Sequence, residues 1–232
     1  MNLILTMAGK YSRFKEAGFG IPKYLLPWGD SSVLKRILIN LTGFYDFKNV
    51  ILVANKSDSD FMPHVQQIIK SRLLNGELVV IDDTSGQAET VDKALSIFGK
   101  QLDGCPLIIH NIDTILYERD FNDIEKDLKN HDGFVDVFKA SNHEYSYAVI
   151  KDNLVSVIAE KVIVSDTATT GLYGFSSPSV FKKYYDGEIY ISDIYKKMIL
   201  DNKTVVASFV HNESDTIVLG TPSDYIKRSQ EI

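Results

Sequence analysis

The chain has 232 residues, enough for one α/β domain with a full core, and its 44% hydrophobic and 24% charged residues are ordinary for a soluble globular protein. Its net charge of −6 argues against a general nucleic-acid or membrane surface, because such surfaces need net positive charge. One cysteine excludes an internal disulfide, and the apolar runs are too short for a secretory signal or a membrane span. We therefore expect a single cytoplasmic domain over residues 1–232.

In the first half of the chain, short apolar runs alternate with segments of helical periodicity. Strands are predicted over residues 3–5, 49–54, 78–81 and 107–110, which are rich in β-branched and other apolar side chains. Helices are predicted over residues 33–41, after a cap within residues 30–32, and over residues 57–74 and 87–98. This alternation predicts a parallel sheet flanked by helices.

The second half has a different pattern, with several strand candidates and few helices between them. Strands are predicted over residues 133–139, 144–150, 154–158, 170–175 and 204–210, and helices over residues 190–200 and 223–228. These strands would extend the first sheet as a mixed sheet. We therefore predict a single α/β domain with a Rossmann-like, mixed but mostly parallel sheet flanked by helices.

The loop after the first predicted strand is basic, although the whole chain is acidic. Residues 1–29 contain one acid, Glu16, and four basic side chains, which are Lys10, Arg13, Lys15 and Lys23. Open α/β sheets bind ligands at the carboxyl ends of their strands. Backbone N–H groups in a small-residue turn, together with Arg and Lys side chains, bind phosphates there. The first-choice ligand is therefore a polyphosphate.

This loop also resembles a known family signature. Sugar-phosphate nucleotidyltransferases, also called nucleoside-diphosphate-sugar pyrophosphorylases, have a first strand, then A-G-x-G-x-R, then a Pro-Lys pair about ten residues later. The matching residues are Ala8, Gly9, Arg13, Pro22 and Lys23. The resemblance implies a glycosyltransferase-A-like sheet and a loop that binds a nucleoside triphosphate. It implies nucleotide contacts from Ala8, Gly9, Lys10 and Ser12, and catalytic roles for Arg13 and Lys23.

Tyr11 departs from this signature, because most members have their second glycine at that position. A glycine there lets the triphosphate lie against bare backbone. Two alternatives follow from the departure. Either the Tyr11 side chain turns outward, or the loop holds its nucleotide somewhat differently.

Two further segments of the first half match the family. Residues 86–91, with the sequence GQAETV, look like the segment that contacts the base and the ribose, through Gly86 and Gln87. Asp113, after the fourth predicted strand, matches the aspartate that holds Mg²⁺ in relatives. Glycosyltransferases of the related fold normally carry Asp-x-Asp here, whereas this chain has Asn111-Ile112-Asp113. That difference argues against glycosyl transfer.

The resemblance continues through the second half, where it implies an acceptor site. Glu160 and Lys161 resemble a Glu-Lys pair that binds acceptor hydroxyls and the acceptor phosphate, and Gly171 matches a glycine beneath the acceptor. Many relatives have a second metal-binding Asp two residues before a closing Gly-Thr, but this chain has Val218 there. Asp215 is then the candidate second ligand, unless the phosphates supply the remaining oxygens.

These matches imply a Mg²⁺-dependent nucleotidyltransferase in which an acceptor phosphate displaces pyrophosphate from a nucleoside triphosphate. The acceptor would be a sugar 1-phosphate or another small phosphorylated metabolite, and CTP is slightly preferred over UTP, dTTP or GTP. The resemblance is greatest to members that serve capsule or surface-polysaccharide assembly, and dimers are common in the family. The alternatives are a glycosyltransferase that uses a nucleotide sugar and a nucleotide-binding regulator without catalysis.

Overall fold

The computed structural model of the protein describes residues 1–72 and 75–231. The strands are β1 (Asn2–Met7), β2 (Pro27–Trp28), β3 (Ser31–Ser32), β4 (Asn49–Asn55), β5 (Gly76–Ile81), β6 (Leu107–Asn111), β7 (Thr114–Leu116), β8 (Gly133–Lys139), β9 (Ser146–Lys151), β10 (Leu154–Glu160), β11 (Thr167–Phe175), β12 (Val205–Ala207) and β13 (Thr216–Val218). The helices are α1 (Ser12–Glu16), α2 (Val33–Thr42), α3 (Met62–Arg72), α4 (Gln87–Phe98), α5 (Phe121–Asn130), α6 (Pro178–Tyr184), α7 (Ile191–Leu200) and α8 (Pro222–Ser229). None of the helices in these ranges has both the length and the apolar character needed to cross a bilayer.

Nine strands form one mixed sheet in the order β5-β4-β1-β6-β11-β8-β12-β10-β9. The first four are parallel to one another and are connected through helices, as predicted. β9 also pairs with β11, between Tyr147 and Ala168, so that β11, β8, β12, β10 and β9 form a closed ring of pairings. The prediction of an α/β fold with a mixed sheet flanked by helices is confirmed.

The prediction that the sheet is mostly parallel is wrong, because the second half of the chain adds mainly antiparallel pairings, and the Rossmann-like character is not confirmed. Among the pairings described for this sheet, four are parallel and five are antiparallel. The physical reason is visible between β9 and β10, where Asp152 and Asn153 have φ values of 50° and 63°. Two consecutive residues with positive φ make a tight turn that joins antiparallel strands without a helical crossover.

Side chains of β1 alternate between two cores, one on each face of the sheet. Leu3 and Leu5 belong to the cluster that contains the buried face of α2, whereas Ile4 belongs to the cluster that contains the buried faces of α4 and α7. Successive side chains of a strand point to opposite faces, so an all-apolar strand needs cover on both sides. This arrangement buries β1 except for Thr6, which is partly buried, and leaves its carboxyl end as the edge where polar chemistry begins.

The predicted helices agree with the structure where apolar periodicity was strong. Ser32 caps α2 by accepting a hydrogen bond from the Lys35 N–H, and α4 has the predicted bounds. The helix predicted over residues 57–74 begins later, at Met62, because residues 56–61 form a 3₁₀ segment; residues 73 and 74 lie outside the described ranges. Three helices, α1, α5 and α6, were not predicted.

A buried ionic cluster joins the strands of the closed ring to the segment after β7. Asp136 on β8 accepts hydrogen bonds from Arg119, at 3.0 Å, and from the hydroxyl of Thr170 on β11, at 2.8 Å. His211 Nε2 lies 3.3 Å from the other oxygen of Asp136. Burial opposes ionisation of Asp136, but His211 and Arg119 outweigh it and hold the pKa of this carboxyl below its usual range. Arg119 also donates to Thr216 on β13, so one guanidinium connects β8 with β13.

Asp136→Asn should lower the free energy of unfolding by about 3–5 kcal/mol, because it leaves the Arg119 guanidinium buried without a counter-ion. Urea denaturation measures this change. The matched control is Asp123→Asn, in an ion pair with Lys126 whose side chains are 68% and 71% exposed. That change should cost less than about 1 kcal/mol. Equal costs for the two variants would show that the cluster does not stabilise the fold.

Candidate active site

The carboxyl ends of β1 and β6 lie side by side, because these strands are parallel neighbours with Thr6 opposite Asn111. From β1 the chain continues to β4 on one side and returns to β6 on the other. Ligands of open α/β sheets bind at such a reversal of strand order, outside the carboxyl ends of the strands. The described residues form two adjoining cavities at this edge.

The first cavity has a volume of about 520 Å³ and the second about 290 Å³. Predicted site residues that line the first cavity are Ala8, Gly9, Lys10, Lys23, Gly86, Gln87 and Asp113. Predicted site residues that line the second are Arg13, Gln87, Asp113, Glu160, Lys161 and Gly171. Gln87, Asn111 and Asp113 line both, so they mark the junction between the two cavities.

Two predicted site residues line neither cavity. Ser12 is exposed at the start of α1. Asp215 lies in a 3₁₀ turn at the far end of the β7–β13 ribbon, where its carbonyl oxygen accepts hydrogen bonds from Arg119 and from the Tyr117 N–H. In the same ribbon Val218 is opposite Thr114, next to Asp113. The position beside Asp113 is therefore occupied by an apolar side chain, and Asp215 is not brought to it.

Three predicted phosphate-binding cations each contact a carboxylate in the structure. The pairs are Lys10 with Asp83 at 2.9 Å, Arg13 with Glu144 at 3.1 Å, and Lys23 with Asp113 at 2.6 Å. The first two pairs are well exposed, whereas the Lys23 and Asp113 side chains are only 18% and 23% exposed. These cations are held around the cleft before any anion enters it. A phosphate that binds them must compete with the carboxylates.

Asp113 has the position and ionisation state expected of a metal ligand. Burial opposes its ionisation, but the charge of Lys23 and the hydrogen bond from it hold the pKa of Asp113 below its usual range. Among the described residues, no group of three or more His, Cys, Asp or Glu side chains could hold a metal ion. Mg²⁺ needs no such group, because it keeps several waters and is often held by one or two carboxylates together with phosphates. Asp113 therefore fits a magnesium–nucleotide complex.

The conformation of Tyr11 differs from the outward-turned side chain considered for it. Its φ and ψ are 36° and 42°, the left-handed region that favours glycine. Its hydroxyl donates a hydrogen bond to the buried Asp58 at 2.5 Å. Burial and the Asp58 carboxylate raise the pKa of Tyr11, so the phenol stays protonated and remains a donor.

The segment at the start of α4 is shaped by packing as well as by the cavity. A Cβ on Gly86 would lie 2.4 Å from the Ile189 carbonyl oxygen, so glycine is needed for the approach of the loop before α7. Ala88 is fully buried in the core and lines neither cavity. Gln87 does line both cavities, and its Nε2 donates to the Thr6 hydroxyl at 3.3 Å.

His110, at the end of β6, is fully buried, and its Nε2 donates to the Thr114 carbonyl oxygen at 2.8 Å. Burial lowers the pKa of His110 to about 4, because a charged imidazole is poorly solvated there. The ring is therefore neutral at physiological pH. It supports the turn into Asp113 from inside the protein.

In the second cavity, Glu160 and Lys161 have distinct partners. The hydroxyls of Ser146 and Ser192 both donate to the Glu160 carboxylate, the latter at 2.8 Å. The Lys161 ammonium donates to the Tyr190 hydroxyl at 3.1 Å and lies 5.0 Å from the centre of its ring. The hydrogen bond to Tyr190 raises the pKa of Lys161, which stays charged. The pair thus presents a fixed acceptor oxygen next to an exposed cation.

Gly171 occupies a position that no other residue fits without rearrangement. Its φ is +89°, and a Cβ would lie 2.0 Å from the Asn111 amide nitrogen. The Asn111 amide therefore packs directly on the bare backbone of β11, at the junction of the two cavities. The Asn111 Oδ1 atom is buried without a hydrogen-bond partner in the described structure.

Three side chains at the site were missed from the sequence: Asp58, Glu144 and Ser192. Each lies far along the chain from the residue that it contacts; Arg13 and Glu144, for example, are 131 positions apart. No periodic pattern or short motif signals such partners. The contact between Asn111 and Gly171 was also missed. For that contact the sequence offered one signal, the position of Asn111 directly after a predicted strand.

No protein-family model matches the chain, and no curated protein matches it. Solved structures do match, over nearly the whole of both chains. The nucleoside-diphosphate-sugar pyrophosphorylase from Vibrio cholerae is 23% identical, with a TM-score of 0.85 and coverage of 98% of this chain and 99% of that one. A protein assigned as a glucose-1-phosphate thymidylyltransferase from Bacillus anthracis is 20% identical, with a TM-score of 0.80 and coverage of 100% and 94%. A UDP-glucose pyrophosphorylase is 15% identical, with a TM-score of 0.78 and coverage of 99% and 97%.

The chain therefore has the fold of structures described as sugar nucleotidyltransferases. This fold is the one implied by the resemblance found in the first loop.

Gly171→Ala should lower the free energy of unfolding by about 2–4 kcal/mol, because it adds backbone strain and an overlap with Asn111. Gly9→Ala is the matched control, since a Cβ there meets nothing within 4 Å and φ is not positive. That change should cost less than about 0.5 kcal/mol. Adding Asn111→Ala to Gly171→Ala should recover part of the loss. If the two glycine variants unfold alike in urea, the packing of Asn111 on Gly171 is not a constraint.

Proposed function

We propose that the protein is a nucleotidyltransferase that joins a nucleoside triphosphate to a phosphorylated acceptor and releases pyrophosphate. The observation that carries the proposal is the pair of adjoining cavities with Asp113 at their junction and Lys23 of the first cavity in an ion pair with it. A basic small-residue loop lines one cavity, and the Glu160–Lys161 pair lines the other. The names of the matched structures, which include pyrophosphorylases and a thymidylyltransferase, support the same reaction.

In this reaction an oxygen of the acceptor phosphate attacks the α-phosphorus of the triphosphate. A new phosphorus–oxygen bond forms there, the bond from the α-phosphorus to the bridging oxygen breaks, and its electron pair leaves with pyrophosphate. The acceptor needs no strong base, because a phosphate monoester with a second pKa of about 6 is largely dianionic at neutral pH. Catalysis then consists of aligning two anions and offsetting their repulsion.

Each cation of the cleft has a role in this scheme. Arg13 stabilises the leaving pyrophosphate, and Lys23 stabilises the charge that builds on the α-phosphate. Lys161 anchors the acceptor phosphate, while Glu160, fixed by its serine partners, accepts from acceptor hydroxyls. Gln87 binds the nucleotide base edge.

Asp113 would hold Mg²⁺, which neutralises phosphate charge when it is bound. Because Val218 and Asp215 supply no second carboxylate beside Asp113, we propose that phosphate oxygens and waters complete the coordination. Asn111 at the first position of Asn111-Ile112-Asp113 argues against the alternative of glycosyl transfer.

We further propose, from the resemblance, that the acceptor is a sugar 1-phosphate or a similar small phosphate and that the product serves capsule or surface-polysaccharide assembly in the cytoplasm. CTP is the first nucleotide to test, before UTP, dTTP and GTP. A homodimer is the expected assembly.

One nucleoside triphosphate with Mg²⁺ should raise the melting temperature more than its diphosphate does, because ligands that bind only the folded state stabilise it by mass action. With that triphosphate, a screen of phosphorylated acceptors should detect metal-dependent pyrophosphate release. A shift only with diphosphates or nucleotide sugars would instead support glycosyl transfer. Triphosphate binding without pyrophosphate release from any acceptor would support the regulator.

Lys23→Ala should lower kcat by about 10²–10³-fold, since it removes a charge aimed at the transition state, while the Kd of the triphosphate changes less than about tenfold. Steady-state kinetics and calorimetric titration measure the two effects. Lys56→Ala is the control, because Lys56 is exposed, pairs with Asp82 and lines neither cavity. It should behave as wild type. A large loss of affinity with unchanged kcat would refute the catalytic role of Lys23.

A further inference from the structure

One buried carboxylate, Asp58, connects both ends of the basic loop. Asp58 lies in the 3₁₀ segment Lys56–Phe61 after β4, and its residue is 1% exposed. One of its oxygens accepts from the Tyr11 hydroxyl at 2.5 Å, and the other accepts from the Tyr24 hydroxyl at 2.8 Å. Tyr11 lies between Lys10 and Ser12, and Tyr24 directly follows Lys23. A single side chain thus connects two segments that carry the phosphate-binding cations.

Asp58 has hydroxyl partners only. Within the described residues, no Lys, Arg or His nitrogen lies within ion-pair distance of its carboxylate, and its third contact is the Ser57 hydroxyl at 3.4 Å. A buried carboxylate without a counter-ion is costly for folding, because charge is poorly solvated in the interior. Apolar packing could fill this position at lower cost. Its presence beneath a ligand loop points to a role other than stability alone.

The first hydrogen bond fixes the start of α1. Tyr11 adopts the left-handed conformation, which is unfavourable for a residue with a Cβ. Its carbonyl oxygen accepts from the N–H groups of Phe14 and Lys15, so the orientation of Tyr11 sets the direction of the helix that carries Arg13. The Lys15 ammonium lies 4.4 Å from the centre of the Tyr11 ring and makes a cation–π contact that also restrains the ring.

The second hydrogen bond fixes the backbone next to Lys23. Tyr24 is completely buried, and burial together with the Asp58 charge raises the pKa of its phenol, which stays a donor. Tyr24 is the central residue of the short 3₁₀ segment Lys23–Leu25. Once this segment is fixed, only the side chain of Lys23 can change its conformation. The Lys23 ammonium group is therefore held near Asp113.

We propose that Asp58 is the positioning residue of the phosphate-binding loop and that Tyr11, tethered to it, replaces the glycine found in relatives. The proposal rests on the proposed function. Where a glycine leaves the loop free to adapt to the triphosphate, the Tyr11–Asp58–Tyr24 contact sets the loop and Lys23 before the nucleotide arrives. Preorganisation of this kind increases affinity, because the ordering is complete before binding.

The test compares Tyr11→Phe with wild type in triphosphate binding and in kinetics. The variant keeps the half-buried ring and loses only the hydroxyl, so it leaves no cavity at position 11. We expect the Kd and the KM for the triphosphate to rise about tenfold, the effect of losing one hydrogen bond to a charged group, with a smaller change in kcat. Tyr24→Phe should lower kcat more than it raises KM, because Tyr24 acts through Lys23.

The matched control is Tyr195→Phe, which removes another buried hydroxyl. That hydroxyl is hydrogen-bonded to the carbonyl oxygens of Phe134 on β8 and Gly174 on β11. The variant should lose comparable stability and keep the kinetic constants of wild type. If Tyr11→Phe, Tyr24→Phe and Tyr195→Phe all lose only stability, Asp58 has a structural role and the proposal is wrong. Tyr11→Gly distinguishes the effect of backbone conformation from the effect of the hydrogen bond to Asp58, since it restores backbone freedom without the hydroxyl. Affinity equal to wild type in Tyr11→Gly would also overturn the proposal.

Amide hydrogen exchange distinguishes this proposal from the proposed function. Tyr11→Phe and Asp58→Asn should speed exchange in residues 9–15 and 23–25 relative to Tyr195→Phe, because the tether orders these segments. Wild-type protein that neither binds a triphosphate nor releases pyrophosphate would refute the proposed function, and faster exchange in these segments would still support the tether. Unchanged exchange there would refute the tether whatever the activity.

Discussion

The ion pair between Lys23 and Asp113 is the contact on which the whole cleft depends. It joins residues 90 positions apart, and it can form only because β1 and β6 are parallel neighbours whose carboxyl ends meet. The Lys23 charge holds the pKa of Asp113 below its usual range, in a partly buried place where an isolated charge would be costly. In the proposed function, a metal–triphosphate complex would offer both groups new partners, a cation for Asp113 and an anion for Lys23. The ion pair could then be exchanged for ligand contacts without leaving either charge alone.

Each half of the cleft is supported by its own buried carboxylate. Asp58 lies beneath the basic loop, and Asp136 lies behind the second cavity, where it accepts a hydrogen bond from Thr170, the residue before Gly171. The two carboxylates differ in their partners, because Asp136 has the cation Arg119 whereas Asp58 has hydroxyls only. Ionic support suits a closed ring of strands that must stay rigid. In the proposed function, hydroxyl support would leave the cations of the loop available to phosphate.

The sequence predicted the elements whose apolar residues recur at a regular spacing. It did not predict contacts between residues that are distant in the chain. The buried strands of the first half, α2 and α4 have strong apolar periodicity, and the basic loop is a local signal, so their places could be predicted. The apolar residues Phe121, Ile124 and Leu128 of α5 have helical spacing, but the segment is otherwise polar and was missed. The parallel character was overestimated, because a strand pattern says nothing about the direction of its neighbour. Partners such as Asp58 and Glu144 could not be found, since only the folded chain brings them to Tyr11 and Arg13.

Tyr11 and Gly171, which are two of the positive-φ positions of the cleft, show why one glycine of the resembled signature can be exchanged and the other cannot. Both have left-handed backbone, at φ values of 36° and +89°, so conformation alone does not separate them. Space does. The Tyr11 side chain has room to reach Asp58, whose hydrogen bond offsets the unfavourable conformation. A side chain at position 171 would overlap the Asn111 amide, and no hydrogen bond offsets such an overlap. Loss of a glycine is tolerated where the new side chain gains a partner and excluded where a neighbouring side chain already occupies its volume.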